Sequence, residues 1–147
     1  MSPIGSINQP TGHSFSAVRF EDAEVVDAMR MGVVSCLPDT SLRQAARTMA
    51  TYRIHCLLVG EPGDAKLAVV SDLDLAAAAG GDADSRTVRE IAGTEPLTVA
   101  GDEKLSRAAQ LMAEHGVSHL IVVAANTGHA VGVLSTLDVA EALAWDH

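Results

Sequence analysis

The chain states one pattern twice. Leu42, Ala45, Ala46, Met49 and Ala50 recur 63 positions later as Leu105, Ala108, Ala109, Met112 and Ala113. Val69, Ser71, Leu73 and Asp74 recur 64 positions later as Val133, Ser135, Leu137 and Asp138, and Val26 and Met29 lie 62 positions before Val88 and Ile91. The drifting offset puts one extra residue in each of two loops, where insertions are tolerated. A unit of this length is too long for a solenoid repeat, and only two copies occur. The chain therefore reads as a pair of small α/β units: a tail at 1–20, a first repeat at 21–82 and a second at 83–147.

Each repeat carries the order β-α-β-β-α. A short helix is expected from Glu21 to about Met31 and a strand over Val33 to Leu37, closed by Pro38-Asp39. Asp39 or Thr40 is then placed to cap a helix whose apolar positions 42, 45, 46, 49 and 50 share one face. Ile54 to Val59 is a nearly continuous apolar run, suited to a strand covered on both faces. A turn at Glu61-Pro62-Gly63-Asp64 leads to a strand over Leu67 to Val70 and a helix from Ser71 to Gly80-Gly81. The second copy gives a short helix at Val88 to Ile91, a strand at Leu97 to Ala100 and a helix from Leu105 to His115 capped by Gly116. Strands at Val117 to Ala124 and Ala130 to Leu134 flank an Asn126-Thr127-Gly128 turn, and a helix starts at Ser135.

Charge and composition exclude several functions. Ten Lys plus Arg stand against nineteen Asp plus Glu, a net charge of −9 that repels nucleic-acid phosphates and anionic membranes alike. No apolar stretch approaches the roughly 20 residues that cross a bilayer, and the N-terminus lacks the pattern of an export signal. Cys36 and Cys56 lie in apolar segments and form no disulfide framework, so a cytoplasmic protein with reduced core thiols is expected. His115 and His119 have the spacing of a helical metal pair, but Gly116 ends the helix between them and no Cys or acidic cluster completes a zinc site. Neither a Gly-x-Ser-x-Gly element nor a Walker-type phosphate loop is present, and no general base accompanies any motif; an enzyme is not expected.

The most pointed motif is Gly132-Val133-Leu134-Ser135-Thr136-Leu137-Asp138, echoed by Ala68-Val69-Val70-Ser71-Asp72-Leu73-Asp74. An apolar strand runs into Ser-x-x-Asp and then a helix. Ser-x-x-Asp is the signature of a capping box, in which the serine oxygen and the carboxylate satisfy the first helical N–H groups reciprocally. The same position, at the C-terminal end of a strand, is where open α/β structures place ligands. A hydroxyl with free N–H groups suits a phosphate, and a carboxylate one turn in can accept both hydroxyls of a ribose. The two uses are compatible.

Three landmarks per copy give this chain its resemblance: the strand leading into Asp-x-x-Leu-x-x-Ala-Ala (Ser35 to Ala46, Thr98 to Ala109), the run Ile54 to Val59 matched by Val117 to Val122, and the Ser-x-x-Asp element. Over residues 21–147 the chain resembles a tandem pair of CBS domains, the regulatory unit called a Bateman module. The resemblance implies two repeats about a pseudo-twofold axis, with two clefts that receive adenosine-containing ligands such as AMP, ADP, ATP or S-adenosylmethionine. One cleft would use Ser135 and Asp138 with His119 and Ser35, and the other Ser71 and Asp74 with Cys56 and Thr98. It also implies a homodimer, a flat disc of four repeats. The Ala76 to Ala79 run offers a surface for close helix approach.

This chain departs from the family pattern. Gly132 keeps the glycine common before the motif strand, whereas Ala68 replaces it and would narrow its cleft. Cys56 and His119 stand where nucleotide-binding members often carry a base, and Leu58 and Ile121 replace a frequent proline. With few cations nearby, a monophosphate or S-adenosylmethionine is favoured over ATP, and the Asp138 cleft over the Asp74 cleft. The expected function is a stand-alone ligand-sensing module, with output through a protein partner. The alternative is a scaffold or oligomerisation protein whose clefts stay empty.

Overall fold

The computed structural model describes residues 19–60, 68–93 and 96–145. The expected turn at 61–64, residue Leu67 and nearly all of the expected tail lie outside these. Among these residues, five α-helices and seven strands follow in the order α1 (Val25–Ala28), β1 (Arg30–Met31), β2 (Ser35–Cys36), α2 (Leu42–Tyr52), β3 (Cys56–Val59), β4 (Ala68–Ser71), α3 (Asp72–Ala78), β5 (Thr98–Ala100), α4 (Leu105–His115), β6 (His119–Val123), β7 (Ala130–Ser135) and α5 (Thr136–Ala144). Single 3-10 turns occupy Phe20–Asp22 and Val88–Glu90. The β-α-β-β-α order occurs twice, as the repeat requires.

Two compact units result, and neither coincides with a sequence repeat. One is continuous, within 32–97; the other joins 19–31 to 98–145. In the continuous unit, β2 runs parallel to β3 through the α2 crossover and β4 returns antiparallel, giving the order β2-β3-β4. All four residues of β3 are buried, as its unbroken apolar run demands. Leu42, Ala45 and Met49 of α2 pack with Leu57, Val59, Val70 and Val88. Ala46 and Ala50 lie exposed, so the buried stripe is narrower than the apolar pattern.

The discontinuous unit repeats this plan and adds a strand. β5 is parallel to β6, β7 is antiparallel to it, and β1 joins β7 on the far side, in the order β1-β7-β6-β5. Leu105, Ala108 and Met112 of α4 are the buried counterparts of the α2 positions. The expected helix over Glu21 to Met31 is thus shorter than its range, because Arg30 and Met31 pair with Val133 and Gly132 instead of continuing α1.

Each leading segment is held in the unit built from the other repeat. Val88 N–H donates to Thr40 C=O (2.9 Å), Leu42 N–H to Arg86 C=O (3.0 Å) and Arg89 N–H to Pro38 C=O (3.1 Å). The same three bonds recur 63 positions away as Val25 to Glu103 (2.8 Å), Leu105 to Ala23 (2.9 Å) and Val26 to Gly101 (2.9 Å). Val25 and not Val26 is therefore the counterpart of Val88. The offset of 62 read from the sequence at the leading segments is 63 in the structure, which leaves one inserted residue instead of two. Occupying these groups moves the α2 cap. Neither Asp39 nor Thr40 caps it; Ser41 does, its Oγ accepting from Gln44 N–H at 3.1 Å. Asp39 is engaged with Arg89 instead, at 2.8 Å.

Candidate functional site

Both Ser-x-x-Asp elements are capping boxes with nearly identical geometry. Ser71 N–H donates to Asp74 Oδ2 (2.8 Å) and Asp74 N–H to Ser71 Oγ (3.1 Å). Ser135 N–H donates to Asp138 Oδ2 (2.8 Å) and Asp138 N–H to Ser135 Oγ (3.2 Å). Each serine is in the extended conformation that ends a strand, so its hydroxyl sits where β4 or β7 gives way to a helix. The carboxylates use one oxygen for the cap. Among the described residues, Oδ1 of each has no hydrogen-bond partner, which leaves an acceptor at a half-buried position.

The neighbouring strand supplies the second residue of each set. Cys56 pairs with Ser71 across β3 and β4, and His119 pairs with Ser135 across β6 and β7. Cys56 is buried, and burial first, with the Asp72 carboxylate second, pushes its thiol up to about 11. It is a neutral, inert thiol at physiological pH. Cys36 is also raised, chiefly by burial, against a lowering hydrogen bond with Thr40. His119 Nδ1 lies 2.8 Å from Ser118 Oγ, and its Nε2 is shielded from solvent. Both cysteines are unpaired with each other. No group of three or more metal-ligating side chains occurs among the described residues.

The backbone therefore brings together Cys56, Ser71 and Asp74 in one unit and His119, Ser135 and Asp138 in the other. Ser35 lies exposed on β2 in the continuous unit and Thr98 exposed on β5 in the discontinuous one, each in the unit opposite to the set with which the resemblance groups it. Gly132 has a packing explanation. A Cβ there would lie 2.6 Å from Arg30 O and 2.9 Å from Met29 Sδ, so the approach of β1 alone requires glycine. His55 is one of the histidines scattered outside the motifs, which the sequence reads as solvated or hydrogen-bonded, and its Nδ1 lies 2.7 Å from Asp72 Oδ2 beside the first set. The signal for Asp72 is its place at a variable position of the motif, where the second copy has the uncharged Thr136.

The family model for the CBS domain matches residues 24–81 and 88–144. A homoserine O-acetyltransferase of Methanosphaerula palustris is 29% identical over 84% of this chain, which spans only 25% of that protein. The chain is also 29% identical over 80% of its length to the CBS domain-containing protein YhcV of Bacillus subtilis, covering 84% of it. CBSX2, solved in complex with AMP, shares 27% identity at a TM-score of 0.69, over 82% of this chain and 96% of its own. The CBS domain pair of the protein MJ0100, solved with 5′-methylthioadenosine and S-adenosyl-L-methionine, matches at a TM-score of 0.71 and 21% identity, over 82% and 99% of the two chains. No helix among the described residues is long and apolar enough to cross a membrane.

Proposed function

We propose, from the premise that this chain belongs to the CBS domain family, that it is a regulatory module binding an adenosine-containing ligand through its Ser-x-x-Asp elements. It carries no chemistry of its own. AMP-like ligands and S-adenosylmethionine are favoured over ATP because the elements themselves hold no cation. One observation carries the reading: two strand-to-helix junctions, 64 residues apart, each present a serine hydroxyl, a carboxylate oxygen left over from the cap and a β-strand neighbour in the same arrangement. Such a carboxylate accepts a pair of vicinal ribose hydroxyls. The solved relatives hold AMP in one case and 5′-methylthioadenosine with S-adenosylmethionine in the other. Ser135, Asp138 and His119, with Gly132 on the strand that carries Ser135, form the favoured element, with Ser35 as its exposed accessory; Ser71, Asp74 and Cys56 form the second, with Thr98 as its exposed accessory. The ligand's differential affinity for two states of the chain would pass to a protein partner, or to a second copy in a homodimer.

The completed capping boxes favour a second reading, in which the carboxylates serve the helices alone and the chain is a scaffold. Titration calorimetry separates the two. Asp138→Asn and Asp74→Asn each keep an oxygen to accept the serine N–H, so folding survives, but replace the ribose-facing acceptor with a donor. Saturable binding of AMP or S-adenosylmethionine that weakens by about tenfold or more in Asp138→Asn supports the sensor. Absence of binding heat with AMP, ADP, ATP and S-adenosylmethionine from folded wild type would establish the scaffold.

A further inference from the structure

The two Ser-x-x-Asp elements share a backbone and differ in charge. Asp72 and Thr136 are equivalent in the main chain: Asp72 N–H donates to His55 C=O (2.8 Å), and Thr136 N–H to Ser118 C=O (3.0 Å). Each immediately follows the serine of its box. In the continuous unit, Asp72 therefore adds a second carboxylate one residue from Ser71, two residues before Asp74. In the discontinuous unit the same place holds a hydroxyl. The Asp72 side chain is 55% exposed and its partner His55 59%, so the pair lies at the surface beside the element. The field of Asp72 reaches inward as well, since it disfavours the thiolate of Cys56, the residue that occupies the place of His119.

Resting on the adenosyl-ligand reading above, we propose that Asp72 and Thr136 sort ligands by charge: Asp72 bars phosphorylated adenosyl ligands from the Ser71/Asp74 element, and Thr136 admits them to the Ser135/Asp138 element. A phosphate monoester carries about −1.5 to −2 charges near neutral pH. Beside Ser71 it would face two carboxylates within three residues, and like charges at such range disfavour each other. Beside Ser135 it faces one. A neutral thioether or a cationic sulfonium at the 5′ position escapes this repulsion, and the sulfonium gains from Asp72.

The test is titration calorimetry of the full chain with AMP and with the uncharged 5′-methylthioadenosine, at mildly alkaline pH where an imidazole is neutral. Asp72→Asn is nearly isosteric and keeps an acceptor for His55; Asp72→Thr installs the residue of the other copy. Both are expected to add a second AMP site per chain, or to tighten AMP at an existing weak site by about tenfold, with 5′-methylthioadenosine moving by less than about twofold. Thr136→Asp is expected to weaken AMP by about tenfold and spare 5′-methylthioadenosine in the same way. AMP affinity and stoichiometry indifferent to all three substitutions, in a protein that binds AMP, would overturn the sorting while leaving the sensor reading intact. Parallel losses of both ligands would overturn it too, since charge cannot act on the neutral nucleoside. A folded wild type that binds neither ligand sinks the sensor reading itself, and the sorting with it.

Discussion

The two units fasten their leading segments with the same main-chain bonds and with different side chains. In the continuous unit, Arg43 meets Asp84 at 2.5 Å and Arg89 meets Asp39 at 2.8 Å, two ion pairs that tie residues 84–89 to the α2 region. In the discontinuous unit, Lys104 Nζ donates to the Glu21 backbone carbonyl at 3.5 Å, a hydrogen bond in place of an ion pair. The backbone bonds and the matched buried positions are invariant between the copies; the charges on top are not. Architecture in this chain is carried by the main chain and the apolar stripe, and charge has been free to diverge over it. Asp72 against Thr136 and Asp39 against Asp102 belong to the same layer, one pair diverging and the other not.

Substitution at Gly132 tests the sharpest difference between the copies. Gly132→Ala drives a methyl into Arg30 O and Met29 Sδ, and is expected to cost about 1–3 kcal/mol in urea unfolding, with β1 displaced. The counterpart, Ala68→Gly, removes a methyl that meets no such strand among the described residues and is expected to cost about 1 kcal/mol or less. Equal losses at the two positions would mean that β1 does not set the glycine. Next in size is the end of the long helices. Gly116 caps α4 at φ 63° and Arg53 caps α2 at φ 53°, both left-handed. Gly116→Ala is expected to lose about 1 kcal/mol, and Arg53→Gly to gain up to about that much, in the same unfolding experiment. A loss in Arg53→Gly would show that contacts of the arginine side chain outweigh its backbone strain. The smallest effect belongs to the ion pairs. Arg89→Ala and Arg43→Ala are expected to lower stability slightly at low salt and not at all in high salt, because exposed pairs are weak and screened. A salt-independent loss would mean the side chains act by packing.

The same comparison explains which parts of the fold were legible. Helices α2 and α4 show in the sequence because their apolar residues recur at helical spacing, and their buried members are the equivalent trios 42, 45, 49 and 105, 108, 112. Strand β3 shows as an unbroken apolar run. β1 does not, because two exposed residues, Arg30 and Met31, carry no alternation; they are a strand only through pairing with β7, a hundred residues away. Helix α2 hides its true cap for a related reason, since the carbonyl of Thr40 is claimed by Val88 and the side chain of Asp39 by Arg89. In the candidate site, both capping boxes were readable from Ser-x-x-Asp alone. Gly132 is crowded by a strand that no sequence pattern announces, and Asp72 stands at a variable position of the motif, where only the difference from Thr136 in the other copy marks it.

The exchange of leading segments bears on ancestry. A lone copy of the repeat would carry a leading segment whose hydrogen-bonding partners lie in another copy, as Val25 answers to Glu103 and Val88 to Thr40. Two identical single-repeat chains would satisfy each other by lending these segments reciprocally, at the cost of depending on concentration. Tandem fusion of the gene makes that loan internal, at an effective concentration in the millimolar range for a short connection. Once joined, the copies need not be interchangeable, and they differ here, with Ala68 and Asp72 in one and Gly132 and Thr136 in the other.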